Sequence, residues 1–176
     1  MSLKYPIIFP VYLSLFFCFI GCSNDIEFSW MIPRDIKISA SIFKKRTLGE
    51  CAVQVFSLDS GFSQTLNAQG LAALQTALTS RKVGRHVSCE NQNSCRLNYV
   101  SWAQWSPSES AKLGSLLDRK ISNTEECLKS QTDAYLAYNS AINGTQMGYF
   151  TSVAGSDSDD LLLIIPQKNI LIVAPH

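Results

Sequence analysis

Six cysteines, two histidines and a run of aspartates are the residues of this 176-residue chain whose types could support chemistry. Cysteine serves as nucleophile, metal ligand or disulfide half, and spacing decides among these. Cys89 and Cys95 enclose Glu90-Asn91-Gln92-Asn93-Ser94, a polar, turn-forming stretch. His86 lies three residues upstream, so a zinc set of His86, Cys89 and Cys95 can be drawn. It lacks the second close pair and the fourth ligand of structural zinc sites. No metal or other cofactor is therefore assigned. Ser156-Asp157-Ser158-Asp159-Asp160 is rich in oxygen, but it has neither the turn glycine nor the distal glutamate of a calcium loop. There is no Gly-x-Ser-x-Gly elbow, and no glycine-rich phosphate loop. Tyr99, Trp102 and Trp105 form the remaining candidate, an aromatic binding surface for a sugar or a protein partner. The competing reading is core packing for at least two of the three. In a continuous strand Trp102 would face away from Tyr99.

The first 22 residues read as an address rather than as structure. Lys4 makes a positive start, and Ile7 to Ile20 run apolar apart from Pro10 and Ser14. That core is shorter than the roughly 20 residues a spanning helix needs, and it suits a cleaved signal segment. It ends in Phe19-Ile20-Gly21-Cys22, which resembles the lipobox of bacterial lipoproteins, with Phe19 where leucine is usual. The resemblance implies diacylation of the Cys22 thiol, cleavage before it and acylation of the new amino terminus. Ser23, which is not aspartate, implies onward transport to the outer membrane, facing the periplasm. Three acyl chains would hold the protein firmly, whereas one holds only marginally.

An exported setting changes the reading of the other cysteines. With Cys18 discarded and Cys22 lipidated, Cys51, Cys89, Cys95 and Cys127 remain, and oxidising compartments favour disulfides. Four cysteines allow three pairings. Closure of the short polar loop pairs Cys89 with Cys95, leaving Cys51 and Cys127 to join over a long one.

The elements that would position these residues follow from periodicity. Residues 22–46 read as the lipidated N-terminus and a tether. The alternation of Ile36, Ile38, Ala40 and Ile42 suggests an extended lead-in or first strand, and the basic run Lys44-Lys45-Arg46 suggests a solvated face, with contact to an anionic membrane surface as the alternative. Residues 47–176 read as a single domain. Ala52 to Leu58 is a predicted strand, ending at the turn signal Asp59-Ser60-Gly61. A helix is expected from an N-cap at Asn67, with Leu71, Leu74 and Leu78 on one face and Gly84 past its end. Arg96 to Gln104 is a predicted strand, with His86 to Cys89 as hairpin partner. Ser106-Pro107-Ser108-Glu109 and Ser122-Asn123-Thr124-Glu125 are capping boxes opening two helices, the second stopped by Asn143-Gly144. Gln146 to Val153 is a further strand. Leu161 to Ile165 and Ile170 to Val173, joined by Pro166-Gln167-Lys168-Asn169, read as a hairpin buried on both faces.

The expected fold class is α+β: a mostly antiparallel sheet of about five strands with about three helices, braced by disulfides. Apolar residues make up 46% of the chain and charged ones 16%, which fits a folded domain rather than a disordered one. Lys4 is the only charge before Cys22, so cations and anions balance exactly in the rest. That balance gives no field to recruit nucleic acid. The expected partners are the membrane, through the lipid, and an envelope protein or wall component. The expected role is non-catalytic. The alternative is an envelope hydrolase acting on peptidoglycan or lipid, using His86 with Glu90 or the acids Asp157 to Asp160.

Overall fold

In the computed structural model, residues 28–47, 51–75, 80–82, 96–99, 101–107, 115–154 and 159–175 are described. A 3₁₀ turn, Phe28–Met31, leads into β1, Ile38–Thr47, which pairs with β2, Cys51–Leu58. Helices α1, Ser60–Gln69, and α2, Ala72–Gln75, follow. Three short strands come next: β3, Ser80–Lys82; β4, Arg96–Tyr99; and β5, Ala103–Gln104. Two longer helices, α3, Ser115–Leu128, and α4, Thr132–Ile142, precede β6, Tyr149–Ala154, β7, Asp159–Ile165, and β8, Ile170–Ala174.

The strands form one sheet in the order β1-β2-β8-β7-β6-β4-β3, with β5 also on β6. Every pairing is antiparallel. The expected α+β class holds. Five strands have five or more residues; the three additional ones have two to four.

The β7–β8 hairpin sits at the centre of the sheet, as its two apolar runs require. Alternation splits its side chains between two cores. Leu162, Ile164, Leu171 and Val173 point to one face, where they meet Phe56, Leu66, Leu74 and Trp102. Leu163, Ile165, Ile170 and Ile172 point to the other, against Val53, Val55, Leu128 and Tyr138. Neither face is left to solvent, which is why these strands carry no polar alternation. The turn between them closes through Asn169, whose left-handed backbone (φ 55°) suits asparagine.

Several boundaries differ from those the local pattern predicts. The first helix begins at Ser60, because the Asp59 carboxylate accepts from the Phe62 N–H at 3.0 Å and caps it. The predicted N-cap Asn67 lies inside that helix. Gly70, at φ +60°, ends it, and a β-carbon there would come within 3.1 Å of the Tyr149 hydroxyl. Leu78 and Gly84 lie outside the described residues. The predicted strand from Arg96 to Gln104 is interrupted, and β4 and β5 pair with opposite ends of β6. On its other side β4 pairs with β3, upstream of the predicted His86 to Cys89. Ser122 does not open a helix: α3 runs through it to Leu128, and Thr124 is buried with its hydroxyl donating to the Lys120 carbonyl at 2.8 Å.

The turn between α3 and α4 is closed by the Gln131 N–H on the Leu128 carbonyl, 2.7 Å. Tyr138 then ties the pair together, its hydroxyl donating to the Ile121 carbonyl at 2.9 Å. Burial first, and then the charge of Glu125, push the Tyr138 hydroxyl well above its ordinary pKa of 10.0. The folded chain keeps this proton at pH values where the unfolded chain has released it. The stabilisation is complete below about pH 10 and declines above it, by about 1.4 kcal/mol per pH unit. Burial shifts Tyr149 in the same direction. Denaturant unfolding between pH 9 and 11 is therefore expected to show a falling stability that Tyr138→Phe flattens in part. An unchanged slope in that variant refutes the assignment.

Candidate functional site

Cys51 begins β2, opposite Thr47 of β1, and Cys127 lies in the last turn of α3 rather than in a first turn. They form a disulfide, with Cα atoms 5.6 Å apart and a sequence separation of 76. Both are buried in the second core, beside Val53 and Leu128. The bond fastens the α3–α4 layer to the β1–β2 end of the sheet. The predicted pair Cys89 and Cys95, and the lipidation residue Cys22, lie outside the described residues. So do His86, Glu90, Asp157 and His176, while Asp159 and Asp160 begin β7. Among the described residues, no three His, Cys, Asp or Glu side chains converge as metal ligands would.

Of the three aromatic candidates, Tyr99 ends β4 opposite Val153. Trp102 and Trp105 are 8% and 5% exposed, so their rings offer no open binding surface. Trp102 belongs to the first core. Trp105 donates its indole N–H to the Ile142 carbonyl at 3.0 Å and meets Phe150 edge-on, with ring centroids 5.3 Å apart.

The motif reading missed a polar node that ties Phe28 to the sheet. Gln54 is 2% exposed, in the middle of β2. Its Oε1 accepts from the Phe28 backbone N–H at 2.7 Å, and its Nε2 donates to the Ser41 hydroxyl at 2.8 Å. Both ends of the amide are satisfied, which a buried polar group requires. The lone Gln inside the apolar run Cys51-Ala52-Val53-Gln54-Val55-Phe56 was the available signal. Phe28, Met31, Ile32 and Ile36 are buried in the first core. Residues 28–46, read as part of the tether, therefore belong to the domain. The few residues from Cys22 to Phe28 span at most roughly 21 Å even when fully extended.

The register of β1 on β2 sorts the basic run. Lys44 lies opposite Gln54 and Arg46 opposite Ala52, so both share the face on which Phe28 enters. Lys45 lies opposite Val53, on the α3–α4 face.

No family model matches the chain, and neither does any curated protein or solved structure.

Proposed function

We propose that this is an exported lipoprotein of the bacterial cell envelope. It is acylated at Cys22, held on the outer membrane facing the periplasm, and serves as a non-catalytic binding or accessory protein for an envelope protein or wall component. The observation that carries the reading is the Cys51–Cys127 disulfide in the core, because such bonds persist in oxidising, exported compartments. The lipobox-like Phe19-Ile20-Gly21-Cys22 supplies the address. Phe28, tied to Gln54, stands six residues after Cys22 in sequence, which supports a short link to an anchor there.

Membrane fractionation with intact-mass analysis tests this. The native chain is expected to sediment with membranes, begin at Cys22 and carry acyl mass there. Cys22→Ala is expected to lose the acyl mass and the processing that depends on it. A chain found soluble in the cytosol, with its leader uncut and Cys51 reduced, refutes the proposal. The accessory role predicts a stoichiometric partner retained through detergent extraction and affinity capture, and capture of the lipoprotein alone counts against it.

A further inference from the structure

Asn143 and Gly144 form the one Asn-Gly pair of the chain. Glycine has no Cβ, so nothing shields its amide nitrogen from the side chain of the preceding asparagine. Both residues are exposed to water, just past the end of α4. The backbone around them is heavily bonded. The Asn143 N–H donates to the Asn139 carbonyl at 2.9 Å, and the Gly144 N–H donates to the Ala141 carbonyl at 3.0 Å. The Ser140 carbonyl accepts from the Thr145 N–H at 2.8 Å, the Gln146 N–H at 2.9 Å and the Thr145 hydroxyl at 2.9 Å. The Trp105 indole N–H covers the Ile142 carbonyl. Asn143 is held at φ −81° and ψ 2°. At that ψ the Gly144 nitrogen nearly eclipses the Asn143 nitrogen, on the side of the Cα–C bond away from Cβ.

We propose that Asn143 is a modification site gated by the fold: its side-chain amide survives while the α4 stop is intact, and it deamidates when the stop opens. The Gly144 nitrogen attacks Cγ of Asn143. A nitrogen–carbon bond forms, the Cγ–Nδ2 bond breaks, and ammonia leaves with the proton from the Gly144 nitrogen. Water then opens the cyclic imide at either carbonyl, giving aspartate or isoaspartate at position 143. The net change consumes one water and releases one ammonia, with no oxidation or reduction. Ring closure needs Cβ and the Gly144 nitrogen on the same side of the Cα–C bond, so ψ must turn far from 2° and the Gly144 bond to Ala141 must break. The product does not restore the stop. Its carboxylate lies at the negative end of the α4 dipole, and isoaspartate adds a carbon to the main chain, which shifts Gly144 away from the Ala141 carbonyl. A transient opening is thereby recorded as a lasting chemical change.

The test incubates the full chain at mildly alkaline pH, folded in buffer or unfolded in urea. Peptide mass spectrometry follows the amide-to-acid change at each asparagine, and labelling by an isoaspartate-specific methyltransferase identifies the isomer. In the unfolded chain Asn143 is expected to convert before any other asparagine. In the folded chain it is expected to convert at least about tenfold more slowly than in the unfolded one, because an opening step precedes the chemistry. Two variants loosen the stop while circular dichroism verifies the fold. Thr145→Val removes the hydroxyl bond to Ser140, and Trp105→Phe removes the donor to Ile142. Each is expected to raise the folded-state rate at Asn143 by about threefold or more. A folded chain that converts Asn143 within about twofold of the unfolded rate overturns the gating. Folded-state rates unchanged in both variants overturn the assignment to these bonds, and an unfolded chain in which Asn143 is no faster than Asn139 overturns the site itself.

Discussion

Replacing Cys51 and Cys127 together by alanine is expected to lower the unfolding free energy by about 4.5 kcal/mol, the chain-entropy value for a closed loop of this length. The bond joins residues 76 apart in sequence, so its removal frees a large loop in the unfolded chain. In the folded chain it clamps the end of α3 to the first residue of β2, at the side of the sheet farthest along β1 from Ile38. A domain of this size loses about 2 to 4 °C in melting temperature per kcal/mol, so the midpoint should fall by about 10 to 15 °C. Circular dichroism melts of the native and double-variant chains measure this directly. A reductant should lower the native midpoint by at least a similar amount and shift the variant by less. If the variant melts within about 3 °C of the native chain, the bond contributes little, and the pull of an oxidising compartment on this fold is correspondingly weak. The single variants should fare no better than the double one, because each leaves a thiol in a core where neither residue is more than 9% exposed.

The parts of this fold that were legible in the sequence are those where one strong local signal coincided with deep burial. Leu161 to Ile165 and Ile170 to Val173 are apolar without interruption because both faces of the central strands are covered, and Pro166 to Asn169 can only turn. The stop at Asn143-Gly144 is similarly local: Gly144 takes φ +74°. The errors fall where tertiary contacts override local preference. Ser122-Asn123-Thr124-Glu125 has every residue of a capping box, but Thr124 is buried and bonds back to Lys120, so the helix continues. The real break, at Lys129 to Gln131, has no side-chain cap to announce it. The alternation from Ile36 to Ile42 announced the first strand but not which of its faces is buried. β1 is an edge strand with register irregularities between Ile38 and Ala40 and between Ser41 and Phe43. These shift the alternation, leaving Ile42 47% exposed while Phe43 packs against the second core. A period-two pattern of isoleucines there could not identify the inward face.

Candidate binding residues were less legible still, because tryptophan and tyrosine serve cores and interfaces alike. Trp105 shows the difference in measurable form. A hot-spot tryptophan can be truncated with loss of binding and little loss of stability, whereas a core tryptophan carries the fold. Trp105→Ala is expected to cost about 3 to 5 kcal/mol of stability. It removes the hydrogen bond to the Ile142 carbonyl and the edge-on contact with Phe150, and it opens a cavity beside Gly148 and Ala141. The Ile142 carbonyl belongs to the last residue of α4, where no following turn of the helix accounts for it, so the indole N–H also serves as part of the helix stop. Trp105→Phe separates the contributions: it keeps most of the ring packing, loses only the donor, and should cost about 1 to 2 kcal/mol. Denaturant titration of both variants, followed by far-ultraviolet circular dichroism, reads the two steps. If Trp105→Ala unfolds at the native midpoint, the ring is not a structural member of this core, and its role would have to lie in recognition instead.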